Sequence, residues 1–143
     1  MIIKKENTRI HLHAKDWQDA LRKAGSILVE DGSISEEYID SMIQSIEKHG
    51  PYIVLMPKFA LAHAEPSDSV LKTEMALAVF DEDIDFHSYN GPVRLIVVLA
   101  CTDKTSHIER LGALASMMMD DMTLIDRIIE SNSIDEISSW INN

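Results

Sequence analysis

Residues Val93–Cys101 read VRLIVVLAC, an apolar run interrupted only by Arg94, and this run decides the fold class. A short run rich in β-branched residues is typical of a strand. Because apolar side chains point to both sides of this strand, both of its faces must be buried, which requires helices above and below the sheet. The sequence therefore predicts an α/β fold with a central sheet flanked by helices on both faces.

Three further segments are predicted to be strands, because they are short, apolar and bounded by turn-forming residues. They are Tyr52–Met56, a brief extended piece at Phe59–Ala62, and Glu74–Phe80. The last of these has alternating character, which suits a strand with two different faces.

Five helices are predicted from capping residues followed by apolar side chains at helical spacing. Their first residues or N-caps are Asp16, Ser35, Ser106, Thr123 and Ser133. The first helix ends at Asp31-Gly32 and the second at Gly50-Pro51. Asp126 and Glu136 occupy the capping-box positions of the last two. Two helices before the strands and three after them can cover the two faces of one sheet.

Composition limits the classes of partner. The length of 143 residues is typical of one domain, so we expect a single domain that spans residues 1–143. The net charge of −11 disfavours nucleic acid and anionic membrane surfaces, which both attract Lys and Arg. Leu95–Ala100 is too short to span a bilayer, and the N-terminus lacks a signal-peptide core. The lone Cys101 excludes an internal disulfide. We therefore expect a cytoplasmic protein with no direct membrane insertion.

Residues Gly50–Pro66 read GPYIVLMPKFALAHAEP and place one imidazole after a short apolar run. His63, with small Ala62 and Ala64 on either side, presents a ring nitrogen that a bulky partner can reach. Imidazole is also largely neutral and nucleophilic near pH 7. His63 is therefore the first candidate for chemistry.

His107 is predicted to lie in the first turn of the helix that follows the most buried strand. Loops after strands gather ligands in α/β folds, and a helix N-terminus attracts phosphoryl groups. If His63 and His107 converge there, one ring could act as nucleophile while the other donates a hydrogen bond to phosphoryl oxygens, without a metal. From the residues alone, a lone histidine is more often an ordinary surface or core residue than a catalytic one.

Four sequence features, in this order and spacing, resemble the enzyme IIA domains of the bacterial phosphotransferase sugar-uptake system, of the mannitol/fructose type (type 2) and its ascorbate-like branch. They are Trp17–Ala20, Glu47–Tyr52, Ala60–Ala64 and Asp103–His107. The resemblance implies a mixed central sheet. It also implies that His63 is the phosphorylated nucleophile and that His107 is the second active-site imidazole.

The resemblance further implies a phosphotransferase component with a phosphohistidine intermediate and no cofactor. Its phosphoryl donor would be phosphorylated HPr, and its acceptor a cognate enzyme IIB for ascorbate or a related sugar. An alternative is a regulatory module whose phosphorylation state controls binding to a partner protein. Phe59 and Leu61 could form an apolar rim for partners or pack in the core.

Three residues depart from the family pattern. Ile46 stands where many mannitol-type members carry an arginine that would contact phosphate. Ala62 replaces a proline before the active histidine, which should leave the loop less rigid. Glu65 stands where ascorbate-like members often carry arginine, and a carboxylate near a phosphoryl group is unfavourable. These departures bear on the choice of partner.

Several other side chains have two readings each. His49 could supply part of the missing positive charge, or it could simply stabilise a helix C-terminus. Asp103 could orient an imidazole and Lys104 could attract phosphate, or both could be ordinary loop charges. His11 and His13 would share one side of a strand but have no ligand cluster, so a solvated edge strand is favoured over a metal site.

Overall fold

The computed structural model describes residues 2–142. A 3₁₀ turn at Lys5–Asn7 precedes the regular elements. In chain order these are β1 (Thr8–Leu12), α1 (Trp17–Glu30), α2 (Glu36–His49), β2 (Val54–Met56), β3 (Lys58–Ala62), β4 (Glu74–Ile84), β5 (Val93–Ala100), α3 (Lys104–Asp120), α4 (Leu124–Glu130) and α5 (Ile134–Asn142). Among the helices in this part of the chain, none is both long and apolar enough to cross a bilayer.

The five strands form one mixed sheet in the order β1-β4-β5-β3-β2. β1 runs parallel to β4 and β3 runs parallel to β5, while β4–β5 and β2–β3 are antiparallel pairs. The predicted mixed sheet is thus confirmed. Because β3 and β5 are parallel neighbours, they end at the same edge of the sheet, where His63 and α3 follow.

Both faces of the sheet are covered by helices, as the apolar run in β5 predicted. Alternate side chains of β5 pack into two separate cores. Ile96, Val98 and Ala100 belong to the core beneath α1 and α2. Leu95 and Val97 belong to the core beneath α3, α4 and α5.

The face of the sheet toward α1 and α2 is rich in alanine. These residues, each with no exposed surface, are Ala60, Ala62, Ala76, Ala78 and Ala100. Small side chains here allow the helix layer to lie close to the strands. Within that layer α1 and α2 are also in close contact, since a Cβ added to Gly25 would lie 2.7 Å from the Ile39 side chain.

Two predicted helix starts are confirmed by capping hydrogen bonds. The Asp16 carboxylate accepts a bond from the backbone N–H of Asp19 at 2.7 Å. The Ser133 hydroxyl accepts one from the N–H of Glu136 at 3.1 Å. Both bonds satisfy a donor that the first turn of a helix leaves free.

The predicted N-cap at Ser106 is wrong. α3 begins earlier, because Asp103 is the N-cap and its carboxylate accepts from the N–H of Ser106 at 2.7 Å. Thr123 is the N-cap of α4, as predicted, but its side chain makes no capping bond, and its N–H donates to Asp121. Asp126 is not in a capping box but binds Lys58 of β3 at 2.7 Å.

Two strand boundaries also differ from prediction. β4 extends beyond Phe80 to Ile84, because the acidic residues 81–83 are exposed while Ile84 turns back into the core and pairs with Val93. β2 starts at Val54 rather than Tyr52, which lies in a turn. Phe59 and Leu61 are fully buried, so they pack in the core and form no rim.

Candidate active site

His63 and His107 are brought together at one edge of the sheet. His63 follows β3 directly, and His107 is the fourth residue of α3, which follows β5. The pairing of Ala62 with Val98 aligns the ends of the two strands. The centres of the two imidazole rings lie 5.3 Å apart, with their planes inclined at 59°.

The His63 ring is held by a backbone carbonyl group two residues earlier. Its Nδ1 lies 2.7 Å from the Leu61 oxygen. Because a carbonyl oxygen can only accept, Nδ1 carries the hydrogen in the neutral ring, and Nε2 keeps a free lone pair. Burial lowers the pKa of His63, and the nearby His107 lowers it further, although the Leu61 carbonyl partly opposes them. His63 is therefore a neutral imidazole at pH 7 with Nε2 as its basic nitrogen.

Tyr52 contacts the His63 ring and the His63 backbone. Its ring meets the imidazole edge-on, with centres 5.4 Å apart and planes at 82°. Its hydroxyl group lies 3.0 Å from the His63 carbonyl oxygen and 3.0 Å from Oγ of Ser45 on α2. The Ser45 hydroxyl can donate to Tyr52 while Tyr52 donates to His63, so this chain of bonds links α2 to the residue after β3.

A pocket of about 470 Å³ opens over the two imidazoles. It is lined by Ser45, His49, Tyr52, His63, Ala64, Glu65 and His107. Ser45 and His49 are four residues apart on α2 and so share one face of the helix. None of these lining residues is Lys or Arg, so imidazoles are the groups here that can supply positive charge.

His107 keeps a ring nitrogen without a partner. Within residues 2–142, its Nδ1 is buried and makes no hydrogen bond. Burial lowers the pKa of His107, and the Glu65 carboxylate partly opposes that shift. Buried polar atoms are usually hydrogen-bonded, so this unpaired nitrogen, on a half-buried side chain that lines the open pocket, is a candidate for contact with a ligand.

The two charged residues before His107 have different surroundings. The Asp103 carboxylate caps α3, and its bonds to the N–H and hydroxyl of Ser106 lower the pKa of Asp103. Those bonds tie it to the helix end rather than to an imidazole. Lys104 is exposed and lines a smaller adjoining cleft together with Glu65 and His107. Lys104 is thus the basic residue that stands beside the second imidazole.

His11 and His13 lie apart from this pocket. β1 is an edge strand, as predicted, but it ends at Leu12, so the prediction that both histidines lie within one strand is wrong. Nδ1 of His11 lies 2.9 Å from an Asp81 oxygen, and Nδ1 of His13 lies 3.0 Å from a Glu82 oxygen. Over residues 2–142 no group of three or more His, Cys, Asp or Glu is arranged to hold a metal ion.

The departures at Ile46 and Ala62 are both buried and do not reach the pocket. Ile46 packs in the core beneath α2, and Ala62 belongs to the alanine face. Tyr38, which sequence reasoning did not single out, contacts the backbone of Ala64 and Leu99 through its buried hydroxyl group. Those partners are 26 and 61 residues away in sequence, so no local pattern could reveal them.

Comparisons with known proteins agree on one family. The family model described as "Phosphoenolpyruvate-dependent sugar phosphotransferase system, EIIA 2" matches residues 1–143. The mannitol-specific cryptic phosphotransferase enzyme IIA component of Escherichia coli (strain K12) is 30% identical over 129 residues, which is 90% of this chain and 87% of that protein. The ascorbate-specific EIIA component of Shigella boydii serotype 4 (strain Sb227) is 29% identical over 139 residues, covering 96% of this chain and 90% of the relative.

A solved structure gives the same result for the fold. The complex of mannitol enzyme IIA with phosphorylated enzyme IIB from Escherichia coli matches with a TM-score of 0.85 at 26% identity, over 98% of this chain and 96% of that chain. The resemblance to the mannitol/fructose type is confirmed, in sequence and in fold. Mannitol-specific and ascorbate-specific relatives match at nearly equal identity, so neither specificity is favoured.

Proposed function

This chain belongs to the EIIA 2 family of the phosphoenolpyruvate-dependent sugar phosphotransferase system, and from that premise we propose that it carries a phosphoryl group on Nε2 of His63. Members of the family are phosphotransferase proteins that work through a phosphohistidine intermediate. The observation that carries the proposal is the bond from Nδ1 of His63 to the Leu61 carbonyl group. It fixes the hydrogen on Nδ1 and leaves Nε2 as the nucleophile.

The reaction is an exchange of one phosphorus–nitrogen bond for another. The Nε2 lone pair of His63 attacks the phosphorus atom of a phosphohistidine on the donor. A new bond from Nε2 to phosphorus forms while the donor's bond breaks, and that electron pair returns to the donor imidazole. Because no proton has to move for this exchange, the protein contributes positioning and electrostatic stabilisation.

His107 would donate hydrogen bonds to the oxygens of the transferred group. Its ring centre is 5.3 Å from that of His63, and its Nδ1 has no partner among the described residues. The dianionic phosphoryl group would favour the protonated form of His107, which could then donate from both nitrogens. His49, which also lines the pocket, is a third imidazole that could compensate the negative charge of the phosphoryl group.

The partners follow from family membership. The donor would be phosphorylated HPr, and the acceptor would be the cysteine or histidine of a cognate enzyme IIB. The solved complex of a 26% identical enzyme IIA with phosphorylated enzyme IIB supports an enzyme IIB as partner. We propose that the relay acts in the cytoplasm and serves the uptake of a sugar, with ascorbate as one candidate because an ascorbate-specific EIIA component matches 96% of this chain.

Phosphoryl transfer with purified components tests this proposal. The full chain is incubated with phosphoenolpyruvate, enzyme I and HPr, and its intact mass is measured. We expect one added phosphoryl group, mapped by fragmentation to His63, which disappears when cognate enzyme IIB is added. No adduct, or an adduct on another residue, would contradict the proposal. An adduct that no enzyme IIB removes would instead favour the regulatory alternative.

A further inference from the structure

We propose that Tyr38 is a positioning residue for phosphoryl transfer, because its buried hydroxyl group fixes the backbone of Ala64 and thereby the direction of the His63 imidazole. Tyr38 lies in the first turn of α2, beneath the loop that follows β3. It does not line the pocket and does not touch the transferred group. The proposal rests on the proposed function of His63.

The Tyr38 oxygen joins three backbone groups. It lies 2.7 Å from the Leu99 carbonyl oxygen, 3.0 Å from the Ala64 nitrogen and 3.1 Å from the Ala64 carbonyl oxygen. A hydroxyl group has one hydrogen to donate, and the nearer Leu99 oxygen receives it. The Ala64 N–H then donates to the tyrosine oxygen. Tyr38 thus bridges the central strand β5 to the residue immediately after His63.

The bond to Leu99 is buried and the bond to Ala64 is part-buried, whereas the contact of Tyr52 with the His63 backbone is exposed. Tyr38 has no exposed surface, whereas Tyr52, which binds the His63 carbonyl group, is 39% exposed. Water competes with an exposed hydrogen bond but not with a buried one. Loss of the Tyr38 hydroxyl group would leave the Ala64 N–H and the Leu99 carbonyl group without this partner, and the loop would have to move to satisfy them.

Tyr38 is itself fixed to the same loop farther along the chain. Its N–H donates to the Ser35 carbonyl group at 3.1 Å, and the Ser35 N–H donates to the Ser69 carbonyl group at 2.9 Å. The Leu71 N–H donates to Ser33 at 2.8 Å. The connection between α1 and α2 therefore holds the His63 loop at two places. Ala62 imposes no ring constraint on the backbone, so these bonds, together with the contact of Tyr52 with His63, restrain the loop.

The test is Tyr38→Phe, which keeps the buried ring and removes only the oxygen. Tyr89→Phe is the matched control, because the Tyr89 ring is fully exposed in the loop between β4 and β5. Transfer from phosphorylated HPr is followed over a range of HPr concentrations. Ring ¹⁵N shifts of His63 are recorded by NMR over a pH range, and circular dichroism checks folding. The exchange rate of the Ala64 amide hydrogen is measured in the wild type.

We expect Tyr38→Phe to lower the maximal transfer rate roughly 10- to 100-fold with an unchanged KM for HPr, as misplacement of a reacting group does. The ring ¹⁵N shifts should report a smaller share of the tautomer with hydrogen on Nδ1. Tyr89→Phe should match the wild type in both. In the wild type the Ala64 amide hydrogen should exchange slowly.

The positioning role would be overturned if Tyr38→Phe accepted the phosphoryl group at the wild-type rate. It would also be overturned if the rate fell while the His63 ring shifts stayed unchanged. Rapid exchange of the Ala64 amide in the wild type would also overturn it, even if the variant failed to fold. The ring shifts separate this proposal from the function proposed above. If the wild type accepts no phosphoryl group, that function fails, yet the shifts still report whether Tyr38 orients His63.

Discussion

Two pairs of histidines in this molecule have opposite surroundings. His63 and His107 are half-buried and face each other, and burial lowers the pKa of both. His11 and His13 lie near an exposed edge strand beside carboxylates, and the hydrogen bond to Asp81 raises the pKa of His11. Burial therefore favours the neutral form of His63 and His107, whereas the carboxylate beside His11 favours its charged form.

If His63 is the nucleophile, as proposed above, then the surroundings of a histidine rather than its residue type select it for that role. A carboxylate holds the proton on an imidazole, whereas a carbonyl group orients the ring and leaves one nitrogen free. Carboxylates are abundant in a chain of net charge −11, so a neutral imidazole requires their absence from its immediate contacts. At His63 the ring's hydrogen-bond partner is Leu61, a backbone group without charge.

The largest expected effect is a complete loss of phosphoryl acceptance, and it should occur in the buried histidine pair but not in the exposed pair. His63→Gln should abolish phosphoryl acceptance, because the covalent bond is made to that ring. The double variant His11→Gln/His13→Gln should accept phosphate at the wild-type rate. Intact mass after incubation with phosphorylated HPr measures both, and a clear loss in the double variant would show that the exposed pair contributes.

Within the buried pair the effect should be smaller for the second imidazole. His107→Gln should still form the adduct on His63 but slow the transfer by roughly 10²-fold, the usual cost of removing one donor that stabilises developing charge. Rapid-quench kinetics measures the rate. A variant as fast as the wild type would mean that His107 makes no contact with the phosphoryl group in the transition state.

A carboxylate added near His63 should make the buried pair resemble the exposed one. Ser45 lines the pocket and reaches Tyr52, so Ser45→Asp would raise the pKa of His63 and repel the phosphoryl group. We expect roughly a tenfold lower rate at pH 7, which corresponds to about 1.4 kcal/mol of added repulsion in the transition state. Ser45→Asn is the matched neutral control. Equal rates for the two variants would argue against the importance of excluding carboxylates.

The smallest expected effect is on stability. Because the pKa of folded His63 is lowered, the unfolded chain binds the proton more readily, and acid favours unfolding. Stability should be constant above about 6.5, the ordinary pKa of histidine in an unfolded chain, and fall as the pH drops below it toward the lowered pKa of folded His63. Urea unfolding at several pH values should show a shallower decline in His63→Ala. An unchanged decline would place the responsible group elsewhere.

Some parts of the fold could be predicted because their causes are local. The apolar run in β5 requires two covered faces, and Asp16 caps α1 through a residue three positions on. The start of α3 was missed because Asp103 and Ser106 are both good N-cap residues, and Asp103 takes the role. The predicted β4 ends at Phe80 because the acidic residues 81–83 resemble a loop, although they are an exposed part of the strand before the buried Ile84.

In the candidate site, too, some features could be predicted from the sequence and others could not. His63, His107 and His49 stand out by residue type and position, and the structure brings all three to one pocket. Which nitrogen of His63 carries the hydrogen depends on the direction of a carbonyl group, which no residue pattern records. The bridge through Tyr38 depends on the meeting of α2 with the ends of β3 and β5, and so it belongs to the tertiary structure.

The alanine face of the sheet makes the distance between α2 and the strands a property of side-chain volume. Ala60 and Ala62 share one core with the buried side chains of α2, the helix that carries Tyr38, Ser45 and His49. A larger residue at either position would lift the helix and change the width of the pocket without replacing a single residue in its wall. Substitutions in the alanine face can therefore change the affinity of the pocket for a phosphoryl group, although none of these positions lines the pocket.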